Sequence, residues 1–145
     1  MKMTLLIMAI CSILTAANAQ LIKEAEVPTS VKASFAKMFP DVKDVKWGKE
    51  KNQYKACYTH GQHKGFVLFD ATGKWSERET SIDIRQLPEK IKKYMREHYK
   101  HQPWKSASKV IKATTETQFK IEISAKDILF SKEGVFIRAN ASKTD

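Results

Sequence analysis

The chain has 145 residues, and its 26 Lys and Arg outnumber its 16 Asp and Glu, which gives a formal net charge of +10. This length suits one domain that buries a core without metal ions or disulfides, and it is too short for several domains. Its five glycines form neither a phosphate-binding loop nor a nucleophile elbow. We therefore expect no cofactor and no catalytic residues.

Residues 1–19 have the pattern of a cleavable signal peptide. Lys2 supplies a positive charge, residues 5–14 are apolar, and Ala17-Asn18-Ala19 matches the small-x-small cleavage pattern. The apolar run falls short of the about 20 residues that span a bilayer, and no second run follows. We expect a periplasmic or secreted mature chain, residues 20–145, that begins near Gln20 and has no transmembrane segment.

Cleavage also changes the number of cysteines. Cys11 leaves with the signal peptide, and its acylation is the less favoured alternative because Ile10 stands where lipoproteins need a small residue. Cys57 then has no partner for an internal disulfide. We expect an inert strand thiol, with a reactive or cross-linking thiol as the alternative.

Two helices and eight strands are predicted along the chain. Each helix follows a proline, Pro28 or Pro88, and carries apolar residues four positions apart. The first helix should end at Pro40, and the second, which lacks that proline, should be longer. Alternating apolar residues and turn signals predict strands at 45–49, 53–59, 64–70 and 74–81, and then starting near Ala107, Gln118, Asp127 and Val135.

These elements form an internal repeat of about sixty residues. The helix pattern Val27-Pro28, Val31, Phe35, Phe39 has its counterpart in Leu87-Pro88, Ile91, Met95, Tyr99. We expect one domain with two homologous halves, residues 27–84 and 87–139. The predicted fold is α+β: two tandem repeats of a helix and an antiparallel meander, which form one continuous curved sheet with the helices on one face.

A sheet covered on one face leaves the other face available for binding. If Val67 and Phe69 point to the helix, the alternation of a strand sends Phe66 and Leu68 to the open side, where they either bind a partner or are covered by a loop. Trp47 should be a core residue, whereas Trp104 is the best candidate for an exposed aromatic. The residues that we predict to contact a protein partner are Lys55, Phe66, Leu68, Trp75 and Leu129.

A basic segment runs from Arg85 to Lys112, where nine Lys and Arg stand against Glu89 and Glu97. Such a charge attracts anions, and an exported protein meets lipopolysaccharide and acidic glycans rather than nucleic acid. A solvated helix face is the structural alternative. The candidate residues for anion binding are Arg85, Lys92, Lys93, Arg96, Lys100 and Lys105.

Metal binding and thiol catalysis are remote alternatives. His60 with His63 and His98 with His101 have a spacing that can hold a transition metal, but two ligands do not make a site. Cys57 as a nucleophile needs a base within hydrogen-bond reach, and a strand residue and the following turn usually diverge.

The run Val27-Pro28-x-x-Val31, Phe39-Pro40, Val45-Lys46-Trp47, Tyr54-Lys55 and Phe69-Asp70-x-x-Gly73-Lys74-Trp75 resembles the PepSY-like, beta-lactamase-inhibitor-like proteins that Gram-negative bacteria secrete. The second half departs from the pattern, since Lys100 stands where a proline is expected. The resemblance implies tandem helix-plus-sheet repeats and a concave sheet face that can grip an enzyme. We expect a non-enzymatic binding or inhibitory module, and inhibition of a beta-lactamase itself is a remote alternative because no inhibitory loop can be transferred residue by residue.

Overall fold

The computed structural model describes residues 19–142. Within this range the chain forms one antiparallel sheet of nine strands and two α-helices, which confirms the α+β class. The strands lie in the sheet in the order of the sequence, and the first and last strands do not pair with each other, so the sheet is open. Residues 1–18, which hold most of the predicted signal peptide and Cys11, lie outside the described part of the chain.

The elements follow the predicted order. The helices are α1 (Thr29–Met38) and α2 (Glu89–His98), each preceded by a short 3-10 helix, Glu24–Glu26 and Ile84–Gln86. The strands are β1 (Ala19–Ile22), β2 (Val45–Glu50), β3 (Gln53–His60), β4 (His63–Phe69), β5 (Trp75–Ile82), β6 (Ser106–Lys112), β7 (Thr117–Ile123), β8 (Lys126–Ser131) and β9 (Phe136–Ala141).

The first strand, β1, was not predicted from the sequence. It pairs with β2, and Ile22 lies opposite Trp47 and packs against the core. Four residues at the end of a signal-peptide pattern are too few to show a strand period, so the prediction of eight strands was wrong by one.

Both helices present the predicted apolar stripe, with Val31 and Phe35 buried on α1 and Ile91 and Met95 buried on α2. Each helix has ten residues, so the prediction of a longer second helix was wrong. The chain leaves α2 without a proline because the Gln102 amide donates to the Tyr99 carbonyl and His101 takes a left-handed conformation (φ 63°). Neither helix is long and apolar enough to cross a membrane.

Both helices pack on the same face of the sheet. A first core cluster joins α1 to Val67 and its neighbours, and a second joins α2 to Ala107 and its neighbours. Val67 pairs with Arg78, and four residues further along β5, on the same face, Ile82 pairs with Ala107. We call this side the helix face and the opposite side the open face.

Two β-bulges interrupt the alternation. Leu68 pairs with Glu77 whereas Phe69 pairs with Trp75, so Ser76 is an extra residue on β5. The pairing of β8 with β9 shifts in the same way between Leu129 and Phe130. An extra residue sends the side chains before it to the other face of the strand.

Candidate functional site

The open face holds a group of four half-buried side chains on β3 and β4. Lys55 pairs with Leu68, and Cys57 pairs with Phe66. Their sequence neighbours Ala56 and Val67 are buried under α1, so the alternation turns the four residues to the open side, as predicted for Phe66 and Leu68. We call Lys55, Cys57, Phe66 and Leu68 the open-face patch.

Lys55 and Phe66 are in direct contact within this patch. The Lys55 Nζ lies 4.1 Å from the centroid of the Phe66 ring, a cation–π geometry that orders both side chains. On the other side of β4, Phe66 pairs with Glu79 and Leu68 pairs with Glu77. The patch is therefore an apolar surface with a positive charge along one border and carboxylates along the other.

Within the patch, Cys57 lies on the strand next to β2, where it pairs with Lys46. Burial raises the pKa of Cys57, and the nearby charges of Lys55 and Lys46 oppose this shift. The neutral thiol therefore dominates near neutral pH, and it behaves as a small apolar side chain rather than a nucleophile.

The sheet covers part of its own open face. Val110 and Leu129 point to this face, yet they are only 4% and 7% exposed and belong to neither helix-packed cluster. Leu129 lies between Lys120 and Arg138 on the neighbouring strands, whose long side chains can cover it. The prediction of Leu129 as a contact residue places it on the correct face, but little of it is accessible.

Two ion pairs lie beside the patch. Lys112 pairs with Glu77 on the adjacent strand, and Lys120 pairs with Glu79 at 2.5 Å. Further along the same face, burial raises the pKa of Asp127; the charge of Lys120 lowers it, and the carboxylates Glu122 and Glu79 raise it. Glu77 and Glu79 are each paired with a lysine, so they do not form a free acidic pair for catalysis.

Trp75 is not on the open face, so its prediction as a contact residue there was wrong. The bulge at Ser76 brings Trp75 opposite Phe69 on the helix face, where it packs against the first core cluster. Without the extra residue, the alternation from Glu77 would have placed Trp75 on the open side.

The sequence model of a known protein family matches most of the described residues. The family model described as "Putative beta-lactamase-inhibitor-like, PepSY-like" matches residues 52–138. The chain belongs to this family. The match confirms the resemblance that the motifs of the first half indicated.

Solved structures of similar shape agree with this family membership. A protein from Bacteroides eggerthii described as a putative periplasmic protein is 18% identical, has a TM-score of 0.74, and the match covers 79% of this chain and 88% of that one. A BLIP-like protein from Bacteroides fragilis is 21% identical, with a TM-score of 0.66 and coverage of 81% and 88%. At these identities the likeness shows the fold alone. The comparison with curated proteins gives no significant match.

The basic segment of this PepSY-like family member is largely compensated by local acids. Lys92 and Arg96 both pair with Glu89, at 3.5 and 2.6 Å, while Lys93 pairs with Glu97. In addition, Arg85 pairs with Asp83. Within residues 19–142, Lys100 and Lys105 have no carboxylate partner. The six candidate residues are thus not six free cations.

The histidines do not converge. His60 and His63 face each other across the β3–β4 turn, and His98 stacks on Tyr94 at 4.0 Å between ring centroids. Within residues 19–142, no group of three His, Cys, Asp or Glu side chains is placed to hold a metal ion. His60 points to the helix face, beside Phe39, whereas Cys57 is on the open face, so the two do not form a thiol–imidazole pair.

The remaining tryptophans both belong to the core. Trp47 is buried in the first cluster, as predicted. Trp104 is partly buried and packs against the second cluster, so its prediction as an exposed aromatic was wrong. The connecting segment carries it back against this cluster, a contact that its proline and lysine neighbours do not reveal in sequence.

Proposed function

We propose that this protein is an exported, non-enzymatic binding module that recognises a protein partner through its open face. The observation that carries the proposal is the open-face patch, where Phe66 and Leu68 stand side by side on a face that neither helix covers. Partly exposed apolar side chains that adjoin one another are typical of interaction sites.

The patch contains Phe66, an aromatic residue of the kind enriched at interface cores. Aromatic, aliphatic and cationic side chains that are already ordered lose little conformational entropy on binding. The contact between Lys55 and Phe66 holds both side chains in place before a partner arrives. Binding at this point would remove apolar surface from water without a large rearrangement of the sheet.

The charges around the patch indicate the chemistry of the partner. Glu77 and Glu79 are already paired with lysines of the second half. Lys46 and Lys55, in contrast, have no carboxylate partner within residues 19–142. A partner surface that presents an apolar group next to a carboxylate would complement this arrangement.

Export is the second part of the proposal. The pattern of residues 1–19 supports it, and so does the description of the B. eggerthii relative as a periplasmic protein. Cleavage after Ala19 leaves Gln20 to Ile22 available to pair with β2. Mass spectrometry of the protein from its native envelope should find Gln20 at the N-terminus; Met1 there would contradict export by cleavage.

We further propose that residues 20–145 form one domain of two tandem copies, residues 27–84 and 87–139, in one curved sheet. The order of a 3-10 helix, an α-helix and four strands occurs twice in the chain, which supports this. Matching bulges near the end of each half add support. The partner-binding patch would then be a specialisation of the first copy.

The test of the binding proposal is Leu68→Asp with Val135→Asp as its matched control. Val135 is 50% exposed in the turn before β9, so both variants place a carboxylate at an apolar surface position. A partner captured from the native envelope and then purified should bind wild type and Val135→Asp equally and lose at least about tenfold in affinity for Leu68→Asp. Unchanged affinity of folded Leu68→Asp, judged by circular dichroism, would refute the proposed surface.

Polyanion binding through the basic segment is the alternative function. Lys100 and Lys105 are the residues that support it, since the other four candidates have acidic partners. Retention on heparin that persists above physiological salt and falls in a Lys100→Gln, Lys105→Gln double variant would favour it. Elution below physiological salt would count against it.

A further inference from the structure

The helix face contains a cavity where the two core clusters leave the middle of the sheet uncovered. Its volume is about 310 Å³. Arg78 and Thr80 of β5 and Lys109 and Ile111 of β6 line its floor, and Gln86, just before α2, lines its side. Among residues 19–142, none of the side chains that line it is a carboxylate.

Two positively charged residues line this cavity. Arg78 pairs with Ile111 and Thr80 pairs with Lys109, so Arg78 and Lys109 are diagonal neighbours on the same face. Such neighbours have Cα atoms about 7–8 Å apart, within reach of one small ligand for long side chains. Like charges at this spacing repel each other in the absence of an anion.

The described residues supply no anion to this pair. Within residues 19–142, the side chains of Arg78 and Lys109 make neither an ion pair nor a hydrogen bond. The carboxylates that flank Arg78 on β5, Glu77 and Glu79, point to the open face and bind Lys112 and Lys120 there. The alternation of Glu77, Arg78 and Glu79 along β5 thus places the two acids on one face of the sheet and the arginine on the other.

Neutral donors complete the lining. The Oε1 of Gln86 accepts a hydrogen bond from the Asp83 amide at 3.1 Å, which leaves the Gln86 side-chain nitrogen free to donate into the cavity. The Thr80 hydroxyl is a second donor on the floor. His63 is fixed at the rim by its Nδ1, which lies 2.9 Å from the Ser81 carbonyl and donates to it.

We propose that this cavity binds a phosphate group, either as free phosphate or as a phosphomonoester. The donors come from β5, β6 and the segment before α2, and arginine and lysine are the side chains that most often bind phosphate oxygens. The two positive charges of Arg78 and Lys109 match the charge of a phosphate dianion. The site is on the face opposite the open-face patch, so it is independent of partner binding there.

The experiment is an NMR titration of the isotope-labelled protein with sodium phosphate, and in a parallel arm with glycerol 3-phosphate, at constant pH and with ionic strength held constant by sodium chloride. We expect saturable shifts of the Thr80, Gln86 and Lys109 amides with a Kd in the millimolar range. Saturation in either arm supports the site, and the lower Kd tells whether free phosphate or an ester is preferred.

The variants are chosen to separate site binding from net charge. Arg78→Gln should raise the Kd about tenfold, the loss of one charge-assisted hydrogen bond. Lys109→Gln, at an exposed position that a folded chain tolerates, should raise it by a similar factor. Lys93→Gln removes the same charge from the outer side of α2 and should leave the Kd unchanged.

The proposal is overturned by shifts that remain linear to the end of the titration, or by shifts centred on Lys100 and Lys105. It is also overturned if Lys109→Gln and Lys93→Gln weaken binding equally, because that result shows attraction by net charge alone. Loss of partner binding in Leu68→Asp has no bearing on these outcomes.

Discussion

The Nζ of Lys120 lies 2.5 Å from Oε1 of Glu79, and strand β6 runs between the strands that carry the two residues. Their side chains are only 23% and 13% exposed, so water screens their attraction less than at an open surface. The pair joins the two halves of the chain across the open face. Glu79 pairs with the buried Val110 of β6, so the ion pair reaches across this strand.

Replacing Glu79 by Gln should destabilise the protein by about 1–3 kcal/mol, between the values for exposed and fully buried pairs, because Lys120 is left partly buried without its carboxylate. The free energy of unfolding in urea measures this loss. In a double-mutant cycle, Lys120→Met should recover part of it.

The exposed pair Lys93–Glu97 serves as the control for this ion pair. Its atoms are 3.9 Å apart on the surface of α2, and Lys93→Gln should cost less than about 0.5 kcal/mol. Equal losses of unfolding free energy for Glu79→Gln and Lys93→Gln would mean that the ion pair across β6 stabilises the protein no more than an exposed ion pair.

Asp127→Asn should stabilise the protein more at pH 7 than at pH 4. Burial raises the pKa of Asp127 above the ordinary aspartate value, so the folded chain keeps a proton that the unfolded chain releases. Stability contributed by this group is present at low pH and is lost as the pH rises through the raised pKa. Unfolding in urea at the two pH values, for variant and wild type, gives the comparison.

The effect of Asp83→Asn on stability should have the opposite pH dependence. Hydrogen bonds from Arg85 hold the pKa of Asp83 at about 2, so its stabilising effect is present at neutral pH and is lost on acidification. The cost of Asp83→Asn should therefore be larger at pH 7 than at pH 3. A pH dependence of the same sign in both variants would contradict the assigned causes.

Gly73→Ala should destabilise the protein by about 2–5 kcal/mol. Gly73 has a φ of 87°, and a Cβ would come within 2.6 Å of the Ser30 carbonyl and 2.7 Å of the Ser34 hydroxyl of α1. Backbone strain and overpacking both contribute. This turn is also tied to α1 by the Ser30 hydroxyl, which donates to the Ala71 carbonyl at 2.8 Å.

Gly61→Ala is the matched control for the turn. Its φ of 62° imposes the same kind of strain, but a Cβ there meets nothing within 4 Å, so the cost should be about 1–2 kcal/mol. Thermal and urea unfolding rank the two variants. A Gly61 variant that is the less stable would show that contact with α1 does not decide the effect.

The thiol of Cys57 should react with an aromatic disulfide reagent at pH 8 more slowly than glutathione does, because burial raises its pKa and limits access. Lys55→Gln should slow the reaction further, since the Lys55 charge lowers the pKa of the thiol. The rate of thiolate release follows the reaction directly. Faster reaction in Lys55→Gln would indicate that the lysine acts mainly as a cover.

Local patterns were sufficient for most elements of the fold. The prolines before each helix and the apolar residues four positions apart located α1 and α2, and alternation located β2 to β9. The strand β1 was not found, because four residues that overlap the predicted cleavage site show no period. The equal length of the helices was also missed, since a turn involving His101 ends α2 without a proline.

The candidate site was predicted only where alternation is uninterrupted. Lys55, Phe66 and Leu68 face the open side because no bulge separates them from the buried residues that set the phase. Trp75 was misplaced because the bulge at Ser76 is defined by the pairing of two strands, which a single strand's sequence does not contain. Leu129 lies between β7 and β9 in the sheet, so its burial is likewise a property of the assembled sheet.

The sequence by itself determined the family, the α+β class, the signal-peptide pattern and the phase of the uninterrupted strands, because all of these depend on residues close together in the chain. Only the tertiary structure decided which charges meet. The pairing of β5 with β6 joins Glu77 to Lys112, and the further pairing of β6 with β7 brings Lys120 to Glu79. On the other face, Arg78 and Lys109 lie together without an acidic partner among residues 19–142. Such contacts link residues more than thirty positions apart, so their chemistry appears only when the sheet is formed.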